Sequence, residues 1–211
     1  MKVKICGMKF PENIQTVAAL NPDYMGFIFY RGSKRFVGEG FSVKLVEQLP
    51  KAIKKIGVFV NEPLADVIKK NAEFNFDFIQ LHGHETPDYC EKLSKEKLQL
   101  IKAFNLHDDF DFSELEAYQP YCKYFLFDSQ TANFGGSGKS FNWQVMSKYR
   151  FNTPFFLSGG IGPENISEAL KINHPMLLGF DLNSKLESEP GLKNTDQTKQ
   201  MIEKIKTHVH L

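Results

Sequence analysis

The stretch YFLFDS at residues 124–129 decides the fold, because four bulky apolar residues run without alternation into a carboxylate. A run that is apolar at every position is typical of a strand buried on both faces, as in a parallel sheet. Asp128 would lie at the carboxyl end of that strand, where parallel α/β folds bind ligands. The segment GGSGK at residues 135–139 follows and could approach a ligand or close as a lid. The alternative, that Asp128 caps a turn before an irregular loop, stays open on this stretch alone.

Short apolar runs alternate with longer amphipathic stretches along the whole chain, and eight strand–helix units can be counted. This order favours a single (β/α)₈ TIM barrel of the α/β class that occupies residues 1–211 as one domain. A doubly wound open sheet is the structural alternative, because periodicity does not distinguish a closed sheet from an open one. If the sheet closes, polar strand ends that are far apart in sequence converge at one rim. The predicted strands are Val3–Cys6, Tyr24–Tyr30, Ile56–Val60, Phe78–Leu81, Leu98–Phe104, Tyr124–Asp128, Pro154–Leu157 and Leu177–Leu182.

The composition is that of an ordinary globular protein, with 42% apolar and 24% charged residues among 211. A net charge of +1 gives no reason to expect nucleic acid or an anionic membrane as a partner. The three cysteines form no close pair, which suits a reducing cytosol and predicts a cytoplasmic protein. The chain begins without a signal-peptide core, and no apolar run is long enough to cross a bilayer. The sequence leaves open the choice between a monomer and a homodimer.

Two loops in the last third of the chain have the features of a phosphate site. The segment Ser158-Gly159-Gly160 follows a predicted strand and precedes a helix, so its backbone N–H groups can approach an anion. Asn183 and Ser184 follow the eighth predicted strand and could complete the site, since barrels often bind phosphate after strands seven and eight. The alternative is a tight turn whose glycines only supply positive φ angles.

Three further side chains follow predicted strand ends and could contribute chemistry. Cys6 is either a small core residue or a base or nucleophile that faces the site with a lowered pKa. Arg35 is either a solvated cation or a planar fork for a carboxylate, at the end of the site away from the phosphate loops. His82 could be a ligand, a proton carrier or a hydrogen-bonded wall. No second histidine stands at another predicted strand end, so we expect no metal site.

A set of short motifs occurs in one order along the chain, at the spacing of barrel loops. They are KICG (4–7), SKR (33–35), GVFVN (57–61), QLHG (80–83), GGSG (135–138), SGGI (158–161), PEN (163–165) and DLNS (181–184), with Glu187, Pro190 and Gly191. Each motif alone is weak. The ordered set resembles the phosphoribosylanthranilate isomerase family of tryptophan biosynthesis over essentially the whole length.

The resemblance implies an enzyme that carries out the Amadori rearrangement of N-(5-phosphoribosyl)anthranilate to 1-(2-carboxyphenylamino)-1-deoxyribulose 5-phosphate. The substrate is then a small phosphosugar that carries an anthranilate group, and no metal or organic cofactor is implied. By the same resemblance Cys6 is the general base, Asp128 is the general acid and Arg35 holds the anthranilate carboxylate. His82 and Gly136 are further candidates for substrate binding.

This chemistry suits the two residue types. A protonated Asp128 would donate to the furanose ring oxygen and open the ring to a Schiff base, whose iminium acidifies the proton at sugar carbon 2. Cys6, as a thiolate, would remove that proton and leave an enolamine that tautomerises to the ketone. Asp128 would need a raised pKa, and burial above the apolar barrel core is the expected cause.

Some positions depart from the family pattern, and weaker alternatives exist for the function. The departures are Lys34, Ser137, Asn142, Lys185 and Asn194, none of which is the implied acid or base. A sugar isomerase of histidine synthesis has two phosphate sites, and the third predicted strand end offers no glycine pair for the second. A metal-dependent pentose-phosphate epimerase would need histidine and aspartate ligands that the strand ends do not supply. A non-catalytic phosphosugar-binding barrel is the alternative outside the enzymes.

Overall fold

A computed structural model describes residues 1–129 and 143–208, with only the backbone of Ser129 and Gln144. Eight parallel strands pair in chain order and the first pairs with the eighth, so the sheet closes. The predicted (β/α)₈ barrel is therefore confirmed and the open sheet is excluded. The strands are β1 (Lys2–Ile5), β2 (Tyr24–Ile28), β3 (Lys54–Phe59), β4 (Phe78–Leu81), β5 (Leu100–Leu106), β6 (Cys122–Ser129), β7 (Phe155–Ser158) and β8 (Leu177–Leu182).

Helical segments connect the strands, and a small hairpin follows the last of them. The α-helices are α1 (Pro11–Ala19), α2 (Val43–Glu47), α3 (Leu64–Phe74), α4 (Pro87–Lys95), α5 (Ile166–Ala169) and α6 (Thr195–Thr207). The 3₁₀ helices are Phe112–Tyr118, Trp143–Lys148 and Ser184–Leu186. The antiparallel hairpin consists of β9 (Glu187–Glu189) and β10 (Leu192–Lys193).

The barrel interior is a packed apolar core. Alternate residues of each strand point inward, as Ile56 and Val58 of β3 do. Near the amino-terminal end, Tyr24 packs edge to face on Phe156 with 5.2 Å between ring centroids. A second and larger apolar cluster fills the space between strands and helices. Because the interior is filled from below, a substrate can enter only above it, at the carboxyl-terminal rim.

The closing helix α6 begins with a side-chain cap. Asn194 Oδ1 accepts a hydrogen bond from Gln197 N at 3.0 Å, which satisfies one of the free N–H groups of the first turn. Asparagine and aspartate are about equally good in this role, so the departure at Asn194 leaves the helix start intact. None of the helices in the described ranges is long and apolar enough to cross a membrane.

Candidate active site

The predicted site residues that the structure describes lie at or after the ends of six strands, β1, β2, β4, β6, β7 and β8, at the carboxyl-terminal rim. Cys6 directly follows β1, and its N–H donates to Leu182 O of β8 at 2.9 Å. Asp128 of β6 lies in register with Ser158, the last residue of β7. His82 directly follows β4, and its Nε2 lies 3.3 Å from Asp128 Oδ2. Barrel closure therefore brings together side chains that the sequence separates by up to most of its length.

Cys6 sits at the top of the interior core, where the residue is only 3% exposed. Burial raises the pKa of the Cys6 thiol above its usual value, while the ammonium of Lys4 acts in the opposite direction. Lys4 stands two residues earlier in the strand, so both side chains share the inward face. Gly26 of β2 leaves room for them, because a methyl group there would lie 2.7 Å from Cys6 Sγ. The thiol is therefore packed beside a buried cation.

Lys4, the buried cation, forms an ion pair with a residue of β8, the strand that pairs with β1 and closes the barrel. Lys4 is fully buried, and its register partner on β8 is Asp181. Lys4 Nζ lies 2.9 Å from Asp181 Oδ1, yet neither atom has a well-aligned hydrogen bond within the described residues. Burial disfavours the ammonium, but attraction to Asp181 and to Cys6 outweighs it and raises the pKa of Lys4. Burial raises the pKa of Asp181 in spite of Lys4, and the nearby charge of Asp128 adds to the rise.

Asp128 has a polar neighbour at the end of β4, where Gln80 positions the ring of His82. Gln80 Nε2 lies 2.8 Å from His82 Nδ1, so Nδ1 accepts this hydrogen bond and the ring proton lies on Nε2, facing Asp128. The Asp128 side chain is 30% exposed, so the burial expected for it is wrong. The reason is that Asp128 is the penultimate residue of β6, where the strand has already risen above the apolar core. His82 is thus the close polar neighbour of the carboxylate.

Arg35 is less available than the sequence indicates. Its Nε donates to Glu187 Oε1 at 2.8 Å, and its Nη2 donates to Glu187 Oε2 at 2.6 Å. This bidentate pair occupies one edge of the guanidinium, while Nη1 makes no hydrogen bond among the described residues. The stem of Arg35 also packs beside Gly7, where a methyl group would lie 2.7 Å from both Arg35 Cδ and Asn183 Oδ1. Arg35 therefore lies against the loop after β8, closer to that loop than expected.

Glu187 is the centre of a charged network that sequence reasoning missed. Burial works against its charge, but hydrogen bonds from Arg35 and Lys193 hold the pKa of the Glu187 carboxyl below its usual value. Lys193 Nζ lies 2.6 Å from Glu187 Oε1 and 2.7 Å from Asn183 Oδ1. Two cations and one carboxylate leave this network with one net positive charge. That charge suits an anionic group of a ligand at this side of the rim.

The loop after β7 adopts a backbone conformation with positive φ angles at two of its glycines. Gly159 and Gly160 have φ angles of 92° and 66°, so both tight-turn and anion-binding interpretations remain compatible with it. Asn165 fixes the loop, because its Oδ1 accepts from Gly162 N and its Nδ2 donates to Gly160 O, each at 2.9 Å. The helix expected to follow is only the four residues of α5. Anion affinity would then come from the loop N–H groups more than from a helix dipole.

The loop after β8 lies against the loop after β7. A methyl group on Gly162 would lie 2.6 Å from Lys185 Cβ, so the two segments touch. Ser184 begins a 3₁₀ turn. Asn183 has its amide oxygen occupied by Lys193, so only its NH₂ group remains to donate. Gly136, the remaining predicted substrate-binding residue, lies outside the described residues. Over residues 1–129 and 143–208, no group of three or more His, Cys, Asp or Glu side chains could hold a metal ion.

Comparison with known proteins gives one consistent result. The family model described as N-(5'phosphoribosyl)anthranilate (PRA) isomerase matches residues 3–204. The N-(5'-phosphoribosyl)anthranilate isomerase of Parabacteroides distasonis is 44% identical over 208 residues, which cover 97% of this chain and 93% of the relative.

Solved structures agree with the sequence comparisons. The phosphoribosyl anthranilate isomerase of Thermotoga maritima superposes with a TM-score of 0.85 at 31% identity, over 99% of this chain and 100% of that one. A second structure holds reduced 1-(o-carboxyphenylamino)-1-deoxyribulose 5-phosphate, and it matches with a TM-score of 0.83 at 28% identity over the same shares. Since the family model and the relative of 44% identity both span nearly the whole chain, the protein belongs to the N-(5'-phosphoribosyl)anthranilate isomerase family.

Proposed function

We propose that Cys6 and Asp128 are the base and the acid of the isomerisation that defines this family. As a member of the family, the protein is an isomerase of tryptophan biosynthesis that converts N-(5'-phosphoribosyl)anthranilate to 1-(2-carboxyphenylamino)-1-deoxyribulose 5-phosphate. One observation carries the assignment. The Cys6 thiol and the Asp128 carboxyl both stand at the carboxyl rim, after β1 and near the end of β6, and Asp181 lies on β8, which stands between these strands in the order β6-β7-β8-β1. A substrate above Asp181 would therefore have an acid on one side and a base on the other.

The reaction needs two proton transfers, and the two groups suit them. Asp128, in its protonated form, donates to the ring oxygen as the bond from that oxygen to carbon 1 breaks. The lone pair of the anthranilate nitrogen forms the C=N bond of the Schiff base. The Cys6 thiolate then takes the proton from carbon 2, and the C–H electrons form the enolamine. Each transfer contributes about 10²–10⁴ in rate when its group is well placed.

His82 supports the acid in this scheme. Its ring is fixed by Gln80 on one side, and its Nε2 stands 3.3 Å from Asp128 on the other. After Asp128 has released its proton, the Nε2–H group stabilises the carboxylate that forms. We therefore assign to His82 the stabilisation of the Asp128 carboxylate, in addition to the substrate-binding role inferred from the sequence.

The phosphate of the substrate should bind between the loops after β7 and β8. A phosphate or sulfate ion soaked into crystals should lie against the N–H groups of Gly159 and Gly160, with Ser184 beside it. An alternative anion site exists at the opposite rim, in a cavity of about 450 Å³ that is lined in part by Lys97 and Lys123. Inorganic phosphate should also compete with substrate in kinetic assays. An ion found only at the two lysines would contradict the assignment.

Arg35 should bind the anthranilate carboxylate through the part of its guanidinium that Glu187 leaves open. Arg35→Ala should lower kcat/KM about 10–100-fold, mainly through KM, because a charge-assisted hydrogen bond contributes about 1.5–3 kcal/mol. Arg35→Lys should recover only part of the loss, since an ammonium cannot keep the bidentate pair and also reach the substrate.

A matched control is available in the same loop region. Arg31 pairs with Glu39 at 2.9 Å on the surface and is far more exposed than Arg35. Arg31→Ala removes an equal charge and should leave KM unchanged. Equal KM values in wild type and both Arg35 variants would show that the carboxylate binds elsewhere.

The assay for the whole proposal is turnover of the fluorescent anthranilate-linked phosphosugar by the purified protein. Product formation separates the enzyme from the alternative, a barrel that binds phosphosugars without converting them. A protein that binds this compound and does not convert it would favour the binding role.

A further inference from the structure

We propose that Lys4 holds Cys6 in its reactive thiolate form, and that Asp181 competes with Cys6 for the same Lys4 ammonium. The inference rests on the proposed role of Cys6 as the base. It assigns a positioning function to two buried charges that the reaction itself does not require to touch the substrate.

The first support is geometric. Lys4 is fully buried and reaches no solvent, so its charge can be balanced only by neighbouring side chains. Gly26 is a common neighbour of the two groups, because a methyl group there would lie 2.7 Å from Cys6 Sγ and 3.4 Å from Lys4 Nζ. On the other side, Lys4 Nζ lies 2.9 Å from Asp181 Oδ1. The ammonium thus has both a thiol and a carboxyl as near neighbours.

The second support is the hydrogen-bond state of this pair. Lys4 Nζ and Asp181 Oδ1 are both buried and both lack a well-aligned hydrogen bond among the described residues. A buried ion pair that served only stability would be expected to have its donors and acceptors satisfied. The bent contact leaves N–H groups of Lys4 available for the sulfur. Cys6 and Lys4 in turn attract each other by charge, which favours the thiolate of Cys6.

The third support is the charge count. One cation faces two acids, and a buried cluster is least costly when its net charge is zero. Either Asp181 is ionised and Cys6 is a thiol, or Cys6 is a thiolate and Asp181 carries the proton. The conversion breaks the S–H bond and forms an O–H bond on Asp181, with no change in net charge. Cys6 can therefore ionise inside the apolar rim without creating an unbalanced charge.

Other charged groups face Cys6 more remotely. Lys193 of β10 and Arg35 of the loop after β2 both favour its anion, but Glu187 lies between these two cations and offsets part of their charge. Asp128 of β6 acts on Asp181.

The test measures the thiolate of Cys6 directly in the free enzyme, by ultraviolet absorbance as a function of pH. Each variant is compared with the same variant carrying Cys6→Ser, so that Cys90 and Cys122 cancel. Lys4→Met should move thiolate formation to higher pH, with about tenfold less thiolate at neutral pH. Asp181→Asn keeps the shape of the side chain. It should move thiolate formation of Cys6 to lower pH, because Cys6 becomes the only acid beside the ammonium of Lys4.

The opposite directions distinguish this role from a structural one, since loss of packing would affect both variants alike. If Lys4→Met fails to fold, the effect of Lys4 is read by comparing Asp181→Asn with the double variant Lys4→Met/Asp181→Asn, in which no unpaired buried charge remains. The acid limb of kcat/KM should follow the same shifts. Shifts in one direction, or none, would overturn the proposal, whereas an active Cys6→Ser enzyme would instead overturn the role of Cys6 as base.

Discussion

Asp128→Asn should lower kcat about 10²–10⁴-fold, because an amide cannot release a proton to the furanose ring oxygen. The side chain is 30% exposed and the replacement has the same shape, so the fold should be unaffected. KM should change little, since the interaction that is lost belongs to the transition state. Steady-state kinetics together with circular dichroism of the variant measure both effects.

The chain offers a matched control for this substitution at the opposite rim. Asp77 is also partly exposed, and its carboxylate pairs with a cation, Lys54, at 2.9 Å. Asp77→Asn removes a paired carboxylate of similar exposure without touching the proposed site, so kcat should stay at the wild-type level. If Asp128→Asn behaved like this control, Asp128 would not be the general acid.

The fold and the strand-end residues are predictable from the sequence because both depend on local pattern. An all-apolar run that ends in Asp128 indicates a buried parallel strand, and strand direction alone then puts the carboxylate at the binding rim. The same reasoning places Cys6 after β1 and Ser158 at the end of β7. None of these steps requires knowledge of which side chains touch.

The partners of these residues could not be predicted, because they depend on register and closure. Lys4 faces Asp181 only because β1 pairs with β8 in one particular register, across almost the full length of the chain. Arg35 and Glu187 are 152 positions apart, and nothing in either segment indicates the other. A lysine within an inward strand face was the one available signal for the buried pair, since lysine is almost never fully buried without a partner.

The exposure of Asp128 shows a second limit of the sequence. In the structure residue 128 shares the inward face of β6 with Tyr124 and Leu126, but an all-apolar run does not say how high the packed core rises. In the structure the apolar layer ends below this carboxyl, and His82 from β4 provides its polar partner. Height along the barrel axis depends on strand tilt and stagger, which are properties of the closed sheet.

Cys6→Ser should lower kcat/KM by about 10²–10⁴-fold, comparable to the loss expected for Asp128. Serine fits the buried position, but its hydroxyl is too weakly acidic to form the base near neutral pH. Cys90→Ser is the matched control, since Cys90 is fully buried on α4 away from the site. That variant measures how much stability is lost when a buried thiol becomes a hydroxyl, and its kcat should stay at the wild-type level. A Cys6→Ser enzyme with near wild-type kcat would remove Cys6 from the mechanism.

The pH dependence gives the same assignment a second test. Burial raises the pKa of the Cys6 thiol, so the thiolate is lost as pH falls and kcat/KM should rise as pH increases through the ionisation of Cys6. Because a base and an acid act on one substrate, the full profile of kcat/KM should be a bell whose apparent pKa values belong to the coupled groups and not to either residue alone. The residual activity of Cys6→Ser should lack the rising limb.

Combining Cys6→Ser with Asp128→Asn tests whether the two groups act in one sequence of steps. Once either proton transfer is blocked, the other group has no intermediate to act on, so its further removal costs little. The double variant should therefore lose less activity than the product of the two single losses. A fully multiplicative loss would mean that the two residues act independently, which a base and an acid on one substrate should not do.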